Sequence, residues 1–331
     1  DHGMAAGKPL IWRLPDMWAI TGHCAFSYSC ERWMSGCHHC PWLNGHGRTF
    51  VEPRPTRWDF TRRVWHAKRR IYERTPLHIV VNSAWMKACV QHSILKEAIS
   101  VSTISNGVDL NVFKQVPKNK ARRRLGLPQE APIVLSAAAG LGHHRKGYRY
   151  AAQAMAQLQS SGDRTPLLIT MGKPQGVDRA YPLRKAQHFG FIEHEATQAL
   201  LYAAADVLLC ATLAEGQPQV ALEALACGTP IVAFDLGPMP EFVRPRETGY
   251  LGRPKDAVDL ARGVRLLLED RAKLDRMGRQ CRALAEQEFS PDLQAEQYID
   301  LFQRILENRP EGQRLRNSYA HSLPKQTTYS L

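Results

Sequence analysis

The chain has 331 residues, 44% of them hydrophobic and 23% charged, and its formal net charge is +13 at pH 7. This composition is that of a globular protein with about two domains, long enough to bury a sizeable core. The sequence contains no run of about 18 apolar residues and no basic start followed by an apolar segment, which excludes a membrane-spanning helix and an export signal and predicts a cytoplasmic location.

The first third of the chain contains three short apolar runs. They predict buried strands at 10–14, 77–82 and 99–104. A helix is predicted at 58–73, where the basic run 68–70 lies among aromatic residues. Such a helix suits peripheral contact with an anionic membrane surface, and a solvated helix that packs its aromatic residues inward fits the same pattern. Because three strands make a thin sheet, we expect residues 1–113 to form a truncated N-terminal domain.

A polar, basic stretch at 114–124 is interpreted as the linker to a second domain, 114–290. Strands are predicted there at 133–139, 167–172, 188–192, 206–212 and 231–235. Helices are predicted between and after them, at 148–159, 196–204, 218–227, 257–269 and 271–288. This alternation predicts a parallel sheet with helices on both faces, hence an α/β fold. A C-terminal helix is expected at 291–308, and the basic tail 309–331 is expected to be disordered.

The segment 215–230 (EGQPQVALEALACGTP) begins at the end of a predicted strand, where open α/β sheets bind ligands. Pro218 suits the first position of a helix, and Gly228 suits the position just past its end. The helix N-terminus would therefore offer free N–H groups to a phosphate. Glu223, in the second turn, could accept bonds from ribose hydroxyls, and Glu215 precedes the helix near the place of a sugar on that phosphate.

Glu215 and Glu223, with seven residues between them, resemble the E-x7-E signature of family 4 retaining glycosyltransferases. These enzymes have the GT-B fold, in which two Rossmann-like domains face each other. Further likeness lies at 105–113 (SNGVDLNVF), 145–147 (RKG) and 205–216 (ADVLLCATLAEG). The segment 15–41 (PDMWAITGHCAFSYSCERWMSGCHHCP) is similar to a subgroup of cell-surface polysaccharide glycosyltransferases. The resemblance covers about residues 8–290.

The resemblance implies catalytic roles for three residues. Lys146, helped by Arg145, would neutralise the diphosphate leaving group, and Glu215 would contact the donor sugar near the reacting carbon. Fixed cations stabilise the negative charge that develops on a departing diphosphate. No catalytic metal, organic cofactor or side-chain base is therefore expected. The donor-binding residues implied by the resemblance are Gly172, Phe191, Ile192, Gly216, Gln219, Val220 and Glu223.

Eight cysteines occur, and four of them are close together as C-x5-C-x6-C-x2-C: Cys24, Cys30, Cys37 and Cys40. The C-x2-C pair is a good half-site for zinc, because two thiolates on a tight turn can reach one tetrahedral ion. A structural zinc, reduced or partly disulfide-paired thiols and an iron–sulfur cluster are the three interpretations. The other four cysteines lie in apolar or helical segments and are expected to be small buried hydrophobes.

The sequence thus predicts a metal-independent retaining hexosyltransferase. It would move a sugar from a nucleotide-sugar donor to a lipid-linked or polysaccharide acceptor. One alternative is a GT-B protein that binds a nucleotide without transferring sugar. Another is a basic protein with a zinc knuckle that binds nucleic acid, and the scattered basic residues argue against this because they form no single stripe.

Overall fold

The structure is a computed structural model that describes residues 8–43, 58–160, 165–173 and 183–308. Its first sheet has three parallel strands in the order β1-β2-β3. They are β1 (Leu10–Leu14), β2 (Leu77–Val81) and β3 (Ser100–Thr103). The central strand β2 is apolar on both faces, and three consecutive residues of it, at 79–81, are fully buried, as expected of a parallel strand covered on both sides. The three strands predicted from the sequence are confirmed.

Two helices flank this sheet, α1 (Thr61–Tyr72) and α2 (Ala84–Gln91). Helix α1 is shorter than the predicted 58–73. Its Trp65 is buried, whereas Trp58 just before the helix is 72% exposed. Lys68, from the basic run, is also buried, and its ammonium group donates hydrogen bonds to the carbonyl oxygens of Trp18 and Thr21. The helix therefore packs Trp65 inward, whereas the exposed aromatic residues Trp58 and Phe60 lie just before it.

The second sheet has six parallel strands in the order β6-β5-β4-β7-β8-β9. The strands are β4 (Ile133–Gly140), β5 (Leu167–Lys173), β6 (Ala186–His188), β7 (Val207–Cys210), β8 (Ile231–Phe234) and β9 (Gly249–Gly252). Chain order runs outward from β4 in one direction and outward from β7 in the other. The strand order therefore reverses between β4 and β7, which makes the carboxyl ends of these two strands the place where such sheets bind ligands.

Among the described residues, seven α-helices belong to this second unit. They are α3 (Lys118–Arg124), α4 (Tyr148–Ser160), α5 (Glu195–Ala204), α6 (Gln219–Ala226), α7 (Met239–Phe242), α8 (Ala257–Glu269) and α9 (Arg271–Glu288). Two buried apolar clusters lie between them and the sheet, one with α5 and α6 and the other with α4 and α8. The predicted sandwich of helix, sheet and helix is confirmed, and the four isolated cysteines are buried within the structure.

Some predicted boundaries are wrong. The strand predicted at 188–192 is instead β6, and Gly190 just beyond it takes a left-handed φ of 69°, which a strand does not allow. Helix α6 starts at Gln219, so Pro218 is the residue before the first turn and not the first helical residue. Strand β9 was missed, because its glycine ends give a weak apolar pattern.

Helix α10 (Pro291–Glu307) follows the second unit and returns to the first. Its Leu301 and Ile305 form a buried cluster with Val80 of β2 and Ile104 after β3. The end of the described chain therefore covers one face of the first sheet. The tail predicted to be disordered, 309–331, lies outside the described residues.

Candidate functional site

The carboxyl ends of the two sheets face each other. A Cβ atom on Gly216, in the loop after β7, would lie 2.2 Å from the carbonyl oxygen of Pro15, which follows β1. Between the units, the side-chain oxygen of Gln217 accepts a hydrogen bond of 2.7 Å from the backbone N–H of Asn106. Glu241 in α7 accepts bonds of 2.8 and 2.9 Å from the first two N–H groups of α2. The two units thus contact each other at the rim of the cleft, and a Cβ atom at position 216 would clash with the backbone of Pro15.

Two loops at the switch point hold the predicted catalytic residues. The loop after β4 ends in a short 3-10 helix, His144–Lys146, and in Gly147 with a left-handed φ of 65°. A Cβ atom on Gly147 would lie 1.8 Å from the carbonyl oxygen of Ala211 in the loop after β7. The backbone N–H of Leu213 also donates to the carbonyl oxygen of Arg145 at 2.8 Å. Because residue 147 is glycine, the backbones of the two loops can approach each other this closely.

The structure brings Glu215, Lys146 and Arg145 into direct contact. The Lys146 ammonium lies 2.6 Å from Glu215 Oε1, and the Arg145 guanidinium lies 2.6 Å from Oε2. Glu215 and Arg145 are each less than a tenth exposed. Arg145 also donates to the carbonyl oxygen of Ala214, and the Thr212 hydroxyl donates to Glu215 at 3.3 Å. Two cations facing one carboxylate leave a net positive charge in a partly desolvated pocket, which favours an anionic ligand.

Sequence reasoning missed the partner on the other side of Arg145. The ring of Phe26 lies 4.9 Å from the Arg145 guanidinium carbon, within the range of a cation–π interaction. Tyr28 lies close by, its ring 6.4 Å from that of His144. Both aromatic residues belong to the cysteine-rich segment of the first unit, more than 100 positions before Arg145. No local pattern in the sequence indicates a contact across that distance.

The α6 residues predicted to bind the donor lie on the cleft side of the sheet. Gln219, the first helical residue, is exposed, whereas Val220 packs against the buried cluster beneath. Within the part of the chain that the structure describes, no side chain caps the helix. Its first N–H groups therefore keep their affinity for anions.

Glu223, the predicted ribose ligand, has a partner that sequence reasoning missed. Its Oε2 accepts a hydrogen bond of 2.6 Å from the hydroxyl of Tyr202 in α5. Burial raises the pKa of Glu223 above its usual value, and the Tyr202 hydrogen bond opposes this rise. Burial likewise raises the pKa of Tyr202, with Glu223 adding to the effect. Tyr202 therefore orients the carboxylate as a hydrogen-bond donor and stays protonated.

The other donor-binding candidates lie at the ends of β5 and β6. Gly172 has a φ of 132°, and a Cβ atom there would lie 1.7 Å from the carbonyl oxygen of Ala138. The close approach of strand β4 thus explains why residue 172 is glycine, whether or not a nucleotide lies beside it. Phe191 is half exposed, with the Lys173 ammonium 5.1 Å from its ring centre. The carbonyl oxygen of Ile192 accepts a hydrogen bond of 2.7 Å from the Gln198 side chain.

The four clustered cysteines all line one small cavity in the segment between β1 and α1, and His23 lines it with them. The ligand atoms of His23, Cys24 and Cys40 lie within 4.8 Å of one another, close enough to hold a metal ion. His23 was not among the predicted metal ligands. Its position directly before Cys24 is the feature of the sequence that could have indicated it.

The chain matches a known protein family. The profile described as "Glycosyl transferases group 1" matches residues 117–284. The 2-deoxystreptamine glucosyltransferase of Streptomyces kanamyceticus is 29% identical over 180 residues, which are 52% of this chain and 46% of the relative. D-inositol 3-phosphate glycosyltransferase 1 of Catenulispora acidiphila is 34% identical over 188 residues, 53% of this chain and 44% of the relative. The chain spans about half the length of the curated relatives it matches.

Solved structures resemble more of the chain. Sucrose-phosphate synthase from Thermosynechococcus elongatus superposes with a TM-score of 0.65 at 29% identity, over 78% of this chain and 65% of that one. The Anabaena protein Alr3699/HepE in complex with UDP superposes with a TM-score of 0.66 at 22% identity, over 91% of this chain and 74% of that one. At such identity the second likeness shows the fold alone.

Proposed function

The chain belongs to the group 1 glycosyl transferases and has the GT-B fold, and we propose that it transfers a sugar, with retention, from a nucleotide-sugar donor. The observation that carries the proposal is the contact of Glu215 with Lys146 and Arg145, both at 2.6 Å. This trio lies at the reversal point of the strand order, where an open parallel sheet binds nucleotides.

In the proposed reaction, the bond between the sugar's anomeric carbon and the phosphate oxygen breaks on the face where the acceptor oxygen attacks. The acceptor proton passes to the leaving phosphate, so no side-chain base is needed. Lys146 and Arg145 stabilise the charge that grows on the diphosphate, and they cost no reorganisation because Glu215 and the backbone already hold them in place. Two fixed cations and a helix end can supply the charge that a metal supplies elsewhere, and we therefore propose a metal-independent hexosyltransferase.

The proposed donor lies along the loops described above. Its phosphates approach the N-terminus of α6, with Gly216, Gln219 and Val220 supplying backbone contacts. Its ribose hydroxyls face the Glu223 carboxylate, which Tyr202 already orients. The base lies by Phe191 and Ile192, beyond Gly172. UDP is the first nucleotide to test, because the Anabaena neighbour was solved with UDP.

A lipid-linked or polysaccharide acceptor is proposed together with contact between α1 and an anionic membrane surface. The apolar residues on and before α1 that are exposed are Trp58, Phe60, Val64 and Ile71. Exposed Arg62 and Arg63 lie beside them. This combination suits the boundary between lipid headgroups and acyl chains. Among the described residues, no helix is both long and apolar enough to cross a membrane. Flotation with vesicles containing anionic lipid, compared with neutral vesicles, tests the contact, and equal recovery with both would refute it.

Thermal unfolding with and without UDP, GDP or ADP tests the donor site. We expect one nucleotide to raise the melting temperature of the wild-type chain, because a ligand that binds only the folded state stabilises it. The rise should be absent in Lys146→Met and retained in Lys120→Met, which alters an exposed lysine on α3. No shift with any nucleotide, together with tight binding to duplex nucleic acid, would favour the nucleic-acid-binding alternative. A shift without donor cleavage would favour the protein that binds a nucleotide but transfers no sugar.

A further inference from the structure

The cysteine cluster, which we define as His23, Cys24, Cys30, Cys37 and Cys40, has the dimensions of a metal site. The ligand atoms of His23, Cys24 and Cys40 all lie within 4.8 Å of one another, and all four cysteines are free thiols. In a tetrahedral zinc site with bonds of about 2.3 Å, neighbouring sulfur atoms lie about 3.8 Å apart. Movements of about 1 Å would therefore close these three atoms around an ion, and Cys30 and Cys37 line the same cavity.

Hydrogen bonds hold the backbone around the cluster, and one of them reaches a thiol sulfur. The N–H group of Gly22 donates to Cys37 Sγ at 3.2 Å, and the N–H group of Cys40 donates to the carboxylate of Asp59 at 2.8 Å. Cys37 and His39 both have left-handed φ angles, 40° and 46°, which are uncommon for residues other than glycine. Such strain persists where the surroundings fix the backbone, as bonds to an ion would fix the turn between Cys37 and Cys40.

All four cysteines line one cavity, so a divalent ion in that cavity could bind them together. Metal binding releases the thiol protons, and the ligands are then thiolates.

We propose that Cys24, Cys30, Cys37 and Cys40 bind one zinc ion as thiolates, and that this ion fixes the segment that presses Phe26 against Arg145. Zinc suits four sulfur ligands in a tetrahedron. His23 Nδ1 lies 3.8 Å from Cys24 Sγ, and we assign it as a hydrogen-bond donor to this sulfur, because the four cysteines that line the cavity complete a tetrahedral set.

The five-residue segment 25–29 connects the cysteine cluster to the donor site. It lies between Cys24 and Cys30 and carries Phe26 and Tyr28. Phe26 covers the Arg145 guanidinium, and Tyr28 packs against Trp42 with ring centres 5.0 Å apart. An ion that holds both ends of this short segment thus holds Phe26 over a cation of the phosphate site. This part of the proposal rests on the proposed function.

Metal analysis of the full chain tests the ligand set without any assay of activity. We expect about one zinc per chain in the wild type, and a loss to below about a tenth of that in Cys24→Ser and Cys40→Ser. Cys89→Ser, which removes an isolated buried thiol, and His23→Gln should both keep the zinc. Three results would overturn the zinc site: less than a tenth of an equivalent of zinc in the wild type, iron in place of zinc, or a full equivalent of zinc in Cys24→Ser. Loss of zinc in His23→Gln would overturn the assignment of four thiolate ligands.

Cobalt substitution keeps the test valid if a cysteine variant fails to fold. The wild-type chain with Co²⁺ should show the absorption of a tetrahedral ion with four thiolates, and an octahedral spectrum would refute the proposal. For the coupling, Phe26→Ala should keep its zinc and bind UDP at least about tenfold more weakly, as expected when a desolvated cation–π contact is lost. Unchanged UDP affinity in Phe26→Ala would refute the coupling between the zinc site and the donor site, but it would not contradict zinc binding itself. Absence of nucleotide binding in the wild type counts against the proposed function and leaves the zinc measurement unaffected.

Discussion

Replacing Asp206 by asparagine tests how the second unit is held together. Asp206 precedes β7 and is almost fully buried. Its carboxylate contacts three cations, Arg122 at 2.7 Å, Arg271 at 2.9 Å and Lys118 at 3.2 Å, and accepts a bond of 2.9 Å from the N–H of Ile133. Arg122 is thereby buried and paired, although it belongs to the basic stretch 114–124 that was interpreted as a linker. The carboxylate joins α3, α9 and the start of two strands.

Removing one partner of a buried ion pair costs about 3–5 kcal/mol, because the remaining charge stays buried without compensation. Asparagine keeps one acceptor, and Arg271 is more than half exposed, so we expect a loss near the lower end, about 3 kcal/mol. For a unit of this size that corresponds to a fall in Tm of roughly 6–12 °C. Asp275→Asn is the matched control, since its contact with Arg271 is exposed on both sides and should change stability by less than about 0.5 kcal/mol.

The effect of Asp206 should depend on pH. Burial pushes the pKa of Asp206 up, but the charges of Lys118, Arg122 and Arg271 and the bond from Ile133 outweigh it and hold the pKa below its usual value. A carboxyl group whose pKa is lowered on folding stabilises the protein above its unfolded pKa of about 3.9, and this stabilisation is lost as pH falls through the folded pKa. Denaturant titrations should show the gap between wild type and variant shrinking below about pH 4. A gap below 1 kcal/mol at pH 7, or one that stays constant down to pH 3, would refute the reasoning.

Three further variants test the site. Gly147→Ala should lower UDP affinity by more than about tenfold, because the added Cβ would lie 1.8 Å from a backbone oxygen. Gly126→Ala is the control, since Gly126 has a similar φ and open space around it, and this variant should bind UDP normally. Equal UDP affinities in the two variants would show that the close approach of the two loops is not needed for binding. Tyr202→Phe removes a hydrogen bond worth about 1.5–3 kcal/mol from the Glu223 carboxylate. The pKa of Glu223 should rise further, so UDP affinity should recover only at higher pH, and an unchanged pH profile would contradict this role. Glu241→Gln should destabilise the chain by about 1 kcal/mol in chemical denaturation, because a carboxylate bound to two N–H groups caps α2 across the cleft; unaltered stability would argue against that contact.

The fold follows closely from local patterns. Apolar runs that alternate with helical patterns predict a parallel sheet in the second unit, and the structure shows one. The pattern fails where backbone conformation overrides it. Gly190 turns left-handed and ends the strand that apolar residues at 191–192 seemed to continue. Strand β9 has too few apolar residues to be visible, yet it pairs with β8 over four positions.

The candidate site is predictable only in its local part. Capping residues and the helix start identify α6 and the loop that carries Glu215. The contacts that orient these groups join residues far apart in the chain, as Tyr202 does with Glu223 and Phe26 with Arg145. Such contacts depend on how two loops and two units pack together, which periodicity does not encode. The sequence likewise places Gly172 at a ligand edge, whereas the structure shows a packing reason for it.

Release of free sugar or its transfer from a UDP-sugar by the full chain is the most direct test of the central claim. The account predicts turnover in the wild type and in Lys120→Met. It predicts a kcat/KM lower by about 10–100-fold in Lys146→Met, since a charged contact to the leaving group is worth about 1.5–3 kcal/mol. Turnover of Lys146→Met equal to that of the wild type would contradict the account, because the cation beside Glu215 would then have no part in donor cleavage.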